Sequence, residues 1–308
     1  MVLCRSTFGF VLKLPHRPNV YPAASARPTT MLPTRRTFMT IPRISVCTLD
    51  CTGTIMEVKG SLPRLYLEVL EDELGIAKGA MPGVSEQALL ESFGKSMKQR
   101  SRELPCFGAS VISSEEWWAE VVRDSFIGAG VNQSELDGVF DTVFDKLFSE
   151  VFAGRPAWEL VPGAREVIDQ LRSWCRGNSN DGPSALGVIS NFDERLHALL
   201  KDLGVHDAFD FVLTSRECAS EKPDPLMFKQ ALERAGASEG SIGVHIGDNF
   251  KRDVLGARGV EWHSILITDQ EPTEPERAVD HIRVPELKLV PQVLGISQQK
   301  MKATRIDF

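Results

Sequence analysis

The sequence predicts a doubly wound α/β fold: a parallel sheet with helices on both faces, opened once by an inserted bundle of four helices. Three observations lead there. Short apolar, β-prone runs at Ile44–Leu49, Leu186–Ser190 and Gly243–Gly247 recur between stretches of helical periodicity. Each run leads into a polar cluster: Asp50, then Ser190-Asn191, then Asp248-Asn249. Between the first run and the second, residues 58–155 carry a helical pattern. In an open parallel sheet, ligands bind outside the carboxyl ends of the strands, so these polar endings are candidates for one site.

The 308 residues suffice for a substantial core, and 42% apolar with 25% charged residues is the composition of a soluble globular protein. No apolar run approaches the roughly 18 residues of a membrane-spanning helix, so no membrane partner is expected. The net charge of −7 is unevenly spread. Residues 1–49 hold seven bases and no acid, leaving 28 bases against 42 acids in the remainder. A body that acidic is a poor binder of nucleic acid. Six cysteines are scattered without a CxxC pair, which suggests free thiols in a reducing compartment. Oligomeric state is not legible.

Taken in order, the chain opens with a leader, 1–42, rich in Arg, Ser and Thr and free of acids. It resembles an organelle transit peptide, and Arg35-Arg36-Thr37-Phe38 suits a processing site. The expected location is the mitochondrial matrix. The alternatives are a disordered leader, or initiation at Met31 or Met39, and a cytoplasmic protein. The core is expected over 43–57 and 156–296, the helical insertion over 58–155, and a loose tail over 297–308.

In the insertion, Ser61 caps a helix facing inward through Leu62, Leu65, Tyr66, Val69 and Leu70 and ending at Gly75. Leu90, Phe93 and Met97 mark a second helix. Ser113 with Glu116 forms a capping box for a third, with Trp118, Val121, Val122 and Phe126 inside. Leu136, Val139, Phe140, Val143, Phe144, Leu147, Phe148 and Val151 give the fourth. The Trp117-Trp118 pair reads as packing. Lys95, Lys98, Arg100 and Arg102 read as a solvated face, or else as a loop facing an anionic group beside Cys106-Phe107-Gly108.

After Pro162-Gly163 come a helix through Leu171, the second strand run, a helix over Leu196–Leu203 and a strand at Phe209–Leu213. A helix at Leu226–Ala235, the third strand run, a helix at Val254–Ala257 and a strand at Ser264–Ile267 follow. Arg176–Pro183 and Gln270–Asp280 read as loops. The histidines show no metal-ligand spacing, and His245, between Val244 and Ile246, reads as core.

Asp50 alone is equally a turn residue or a nucleophile and metal ligand. It does not stand alone. Ser190-Asn191, then Lys222-Pro223-Asp224-Pro225, then Gly247-Asp248 with Asp253 follow in order. Nucleophile, hydroxyl, lysine and acidic pair in this succession resemble the four motifs of the haloacid dehalogenase-like (HAD) hydrolase superfamily, over about Ile44 to Thr268. The inserted bundle resembles the helical cap of subfamily I. The run from Ser114 to Phe126 is similar to the cap of its rhythmically expressed gene 2-like group, which includes the haloacid dehalogenase-like hydrolase domain-containing protein 3 type.

The resemblance implies a HAD-like Rossmannoid core and a Mg²⁺-dependent phosphohydrolase acting on a small phosphorylated metabolite. Asp50 would attack phosphorus, and Asp50, the Thr52 carbonyl and Asp248 would hold Mg²⁺, with Asp253 supporting it. Asp253 could equally be a helix N-terminal carboxylate. Thr54, Ser190, Asn191 and Lys222 would meet the phosphate, and Thr54 would also fix the loop. A surface lysine beside Glu221 is the plain alternative for Lys222.

Thr52 departs from the pattern, because HAD phosphatases usually carry a second aspartate there as general acid and base. The chain is then a slow phosphatase, a different HAD hydrolase, or a binder of phosphorylated ligands with little turnover. Retention of Asp248 argues against halide displacement, for which the resemblance implies no metal. Phosphonate cleavage would need a cap lysine, for which Lys59, Lys78, Lys95 and Lys98 qualify only by location.

Overall fold

The structure, a computed structural model, describes residues 44–177, 182–237 and 240–296. The predicted leader, the tail and part of the Arg176–Pro183 loop lie outside these.

Strand β1 (Ile44–Leu49) is buried at every position but Ser45, as a continuous apolar run on a doubly covered strand should be. A turn and a short strand β2 (Met56–Val58) lead out of the core into helices α1 (Leu62–Glu73), α2 (Glu86–Glu103), a short turn α3 (Pro105–Gly108), α4 (Ser114–Gly128) and α5 (Gln133–Asp145). The chain returns through β3 (Trp158–Leu160). Then follow α6 (Ala164–Arg176), β4 (Ala185–Ser190), α7 (Leu196–Asp202), β5 (Phe211–Thr214), α8 (Ser215–Cys218), α9 (Pro225–Arg234) and β6 (Ile242–Gly247). The last elements are α10 (Leu255–Arg258), β7 (His263–Ile267), α11 (Glu274–Arg277), β8 (Ile282–Val284) and α12 (Val290–Val293).

The main sheet is parallel with strand order β5-β4-β1-β6-β7-β8. From β1 the chain builds outward to β4 and β5 on one side and to β6, β7 and β8 on the other. β1 is therefore the switch point of the sheet, where ligands bind in folds of this kind. One face is covered by Val167, Ile168 and Leu171 of α6 with Leu196, Leu199 and Leu200 of α7. The other is covered by Met227, Phe228 and Ala231 of α9, Ala257 of α10 and Trp262.

The inserted helices bury their own cluster, including Leu70, Leu89, Phe93, Trp117, Phe126, Leu136 and Val143. Local signals place them. Ser61 accepts from the Arg64 N–H, and Ser113 with Glu116 forms a full capping box. In α2 the inward stripe is Leu89, Phe93 and Met97 at four-residue spacing, whereas Leu90 is only half-buried. The fourth helix ends in a π-turn over Lys146–Val151.

Two features depart from the sequence expectation. β2 and β3 pair antiparallel, Met56 with Leu160 and Val58 with Trp158, joining the way into the insertion to the way out. Strands of three residues carry too little periodicity to be read. Gln270–Asp280, expected as loop, contains α11, capped by Thr273 and Glu276, and the edge strand β8 follows it. The Thr-x-x-Glu signature was present in the sequence, but no apolar face accompanies it.

The cap carries one fully buried carboxylate, Glu71, which accepts from Arg64 and from the Gly79 and Met81 N–H groups at 2.9 and 3.2 Å. Burial opposes its charge, but these donors overcome that and hold its carboxyl below the ordinary value. Its contribution to stability is therefore present above about pH 4.3 and lost as pH falls through the lower folded value. Glu71→Ala should destabilise the protein by about 3 kcal/mol in urea unfolding at pH 7, and by less at low pH.

Candidate active site

Asp50, Ser190 and Asp248 stand at the carboxyl ends of adjacent strands β1, β4 and β6. The Asp50 N–H donates to the Ile246 carbonyl at 2.9 Å, which continues the β1–β6 ladder to the acid itself. Beyond it, the Cys51 carbonyl accepts from the amides of Thr54, Ile55 and Met56 at 2.9–3.1 Å. Gly53 turns this loop at φ 83°, a conformation that disfavours any side chain. Thr52 is half-buried on the loop and bridges to Met56. The Thr54 hydroxyl is buried without a hydrogen-bond partner.

Lys222 is 1% exposed, so the surface alternative for it fails. Its ammonium lies 3.0 Å from Asp50 Oδ1 and donates to Asp253 Oδ1 at 2.7 Å. Asn191 holds the lysine from behind: its side-chain oxygen accepts the Lys222 N–H at 2.8 Å and its side-chain amide donates to the Lys222 carbonyl at 3.0 Å. That side chain is thereby engaged with the lysine loop. The Ser190 hydroxyl lies against the Cys51 thiol, whose pKa is raised by burial and by the Asp50 charge.

The buried charges sustain one another. Burial works against the Lys222 cation, but Asp253 and Asp50 hold its pKa above the ordinary lysine value. Burial likewise works against the Asp253 anion, yet Lys222 and His245 hold its pKa well below the usual carboxylate range. Its other oxygen accepts the Asn249 N–H at 2.8 Å. A Cβ on Gly247 would fall 2.2 Å from Asp253 Cγ, so only glycine lets the Asp253 carboxylate lie against β6.

Asp50, Asp248 and Asp253 each present a carboxylate oxygen within 4.8 Å of the others. This acidic cluster is the place where a divalent metal could be held.

Two residues join the site without belonging to any motif: Thr48, and His245, which the sequence places in the core. His245 is buried on β6, but its Nε2 lies 3.1 Å from Asp253 Oδ1 and its Nδ1 2.8 Å from Thr48 Oγ1. Thr48 sits two positions before Asp50 on β1, in register with His245. Period-two reading of β1 places Thr48 on the face of Asp50, and that was the available signal.

The cap closes on the same end of the sheet. Trp118 is more than cap packing, since its Nε1 donates to Asp193 Oδ2 at 2.7 Å across the seam. Arg195 pairs with Asp193 and lies over the Phe148 ring at 3.9 Å. Arg216 donates to the Phe107 and Ile112 carbonyls, tying the loop after α2 to α8. Lys95, Lys98 and Arg102 are exposed on α2, as a solvated face. Lys59 donates to the Arg155 carbonyl, and Lys78 is 66% exposed beside Glu68. None of these four candidate lysines is therefore buried against Asp50, and the phosphonate reading gains no support.

A carboxylate at the switch point, a buried lysine against it and a covering helical insertion define a HAD-type α/β hydrolase fold. The family model for haloacid dehalogenase-like hydrolase matches residues 44–260, and the chain belongs to this family. It is 34% identical over 220 residues to haloacid dehalogenase-like hydrolase domain-containing protein 3 of Bos taurus, covering 71% of this chain and 82% of that one. To the Xenopus laevis protein of that name it is 33% identical over 251 residues, covering 80% and 96%. To the Rhythmically expressed gene 2 protein of Drosophila melanogaster it is 28% identical over 237 residues, covering 75% and 85%. Among solved structures, the HAD-hydrolase YfnB of Bacillus subtilis bound to magnesium aligns at TM-score 0.57 and 15% identity, over 82% of this chain and 99% of that one. A 2-haloacid dehalogenase of Pseudomonas syringae aligns at 0.54 and 22%, over 82% and 98%. Both show the shared fold.

Proposed function

We propose that this hydrolase is a Mg²⁺-dependent phosphohydrolase for a small phosphorylated metabolite, working through an aspartyl-phosphate at Asp50. The observation that carries the reading is the Asp50 carboxylate, 3.0 Å from a buried ammonium and within one acidic cluster with Asp248. A halide displacement would have no use for a second carboxylate at that place.

The donor set is all oxygen, which suits a hard cation such as Mg²⁺. Asp50, the Thr52 carbonyl and Asp248 are the residues to hold it. Both oxygens of Asp253 already accept, from Lys222 and His245 on one side and from Asn249 on the other. Asp253 therefore supports the site through Lys222. The chemistry that Mg²⁺ supplies when bound is neutralisation of two approaching anions, carboxylate and phosphate.

Asp50 donates an electron pair to phosphorus, and the bond from phosphorus to the leaving alcohol breaks. Lys222 offsets the charge on Asp50 and on the transferring group. Ser190 and the unpartnered Thr54 hydroxyl supply donors for phosphate oxygens. Thr52 offers no proton at neutral pH, so the leaving oxygen takes one from water. Water then cleaves the acyl-phosphate and restores Asp50. Aryl phosphates, whose leaving groups need no acid, are the favoured test substrates. The acid-free leader supports placing this activity in the mitochondrial matrix.

The test is turnover of an aryl phosphate by the purified protein with and without Mg²⁺, beside Asp50→Asn. Metal-dependent release of phosphate that vanishes in Asp50→Asn is the expected result. Silence of the wild type, with inorganic phosphate still binding, would instead assign the site to phospho-ligand binding.

A further inference from the structure

We propose that His245 is a positioning residue: held at Nδ1 by Thr48 and protonated at Nε2, it ties Asp253 to Lys222 and so sets the lysine against Asp50. The inference rests on the reading of Asp50 as nucleophile and Lys222 as its counter-ion.

The tautomer follows from distances. Thr48 Oγ1 has one hydrogen and two neighbours, His245 Nδ1 at 2.8 Å and the Val244 carbonyl at 3.5 Å. Either atom can donate across the short contact, so Asp253 decides: an acceptor-only carboxylate at Nε2 requires the hydrogen there and leaves Nδ1 to accept from Thr48. Nε2 then carries the proton and donates to Asp253 Oδ1 at 3.1 Å. The opposite tautomer keeps the short bond to Thr48 with the ring as donor, but turns a bare Nε2 lone pair on the Asp253 anion at 3.1 Å. That arrangement loses the bond to Asp253 and sets two acceptors against each other.

The consequence concerns one oxygen. Asp253 Oδ1 accepts both the Lys222 ammonium and the His245 ring, while Oδ2 accepts the Asn249 N–H. Three donors from three segments hold this carboxylate. The backbone amide and the ring are fixed on β6 and its following turn, so they define where the flexible lysine must go. The ring is itself immobile, packed edge-on against Phe228 at 5.3 Å between centroids. The relay runs Thr48, His245, Asp253, Lys222, Asp50, beginning on β1 and ending just beyond it, two residues along the chain.

Side-chain ¹⁵N spectra of histidine-labelled full-length protein, with His245 assigned by its loss in His245→Gln, test the tautomer without any turnover. A neutral ring protonated at Nε2 is expected at pH 7, in the wild type and in Thr48→Val alike, since Asp253 sets it. In parallel, His245→Leu should lower kcat on the aryl phosphate about 10–100-fold with KM little changed, the scale usual for a residue that orients a site group. His245→Gln, whose amide reproduces the Nε2 donor, should restore most of that loss. Rates are compared at matched folded fraction from urea titrations, so that a ring that merely fills space would leave kcat of His245→Leu at the wild-type value. That result, or a ring protonated at Nδ1, overturns the proposal. If the wild type shows no turnover, the nucleophile reading falls by itself. The spectrum then still decides His245: Nε2 protonation sustains the tether and Nδ1 protonation overturns it.

Discussion

Lys222→Met is expected to destabilise the protein by about 3–5 kcal/mol and to abolish turnover, because it leaves two buried carboxylates facing one another. Methionine fills the space of the lysine stem, so the loss reports charge and not a cavity. Lys222 is 1% exposed, with its ammonium between Asp50 and Asp253 at 3.0 and 2.7 Å. Removing a partner from a buried ion pair exposes the full desolvation penalty of the group left behind.

The pH dependence of stability checks the cause. Asp253 is held well below the usual carboxylate range by Lys222 and His245 against the effect of burial. Its stabilising contribution is therefore present above about pH 4 and lost as pH falls through the folded value. Lys222, held above the ordinary lysine value, contributes below about pH 10.4 and loses that as pH rises through its folded value. Urea midpoints across pH should show both limbs in the wild type and a flatter curve in Lys222→Met. An unchanged curve would mean the lysine carries no such load.

Thr52→Asp is expected to raise kcat/KM on alkyl phosphates by about 10²–10⁴-fold, the usual contribution of a general acid and base. That corresponds to about 3–5 kcal/mol of barrier. Thr52 stands two residues beyond Asp50, on the half-buried turn whose backbone the Cys51 carbonyl and Gly53 hold. The new carboxyl would thus sit beside the leaving group without remodelling the loop. On aryl phosphates the gain should be much smaller, since those leaving groups need little protonation. Equal gains on both substrates would point to a changed metal or loop, and no gain would show that Thr52 is not the handicap.

Much of this molecule was legible in the sequence because its signals are local. Apolar runs ending in polar clusters placed β1, β4 and β6, and caps such as Ser61 and the Ser113–Glu116 box placed α1 and α4. The order of Asp50, Ser190, Lys222 and Asp248 named the family, and its matching model spans 44–260. Less legible was whatever depends on partners far apart in sequence. Trp118 read as packing because its bond to Asp193 crosses 75 residues. Three-residue strands such as β2 gain their identity only from pairing with β3.

The sequence by itself determined the fold class, the inserted helical bundle and the types of group at the site, since composition, period and capping act over a few residues. Only the tertiary structure decided what each group does to the next. It showed that Asn191 grips the lysine loop, that Asp253 faces Lys222, and that His245 belongs to the site and not merely to the core. The physical reason is that a buried charge is tolerable only among particular neighbours. Those neighbours lie just after β1, on β6 and the turn that follows it, and in the loop before α9, and only folding brings them within hydrogen-bond reach of one another.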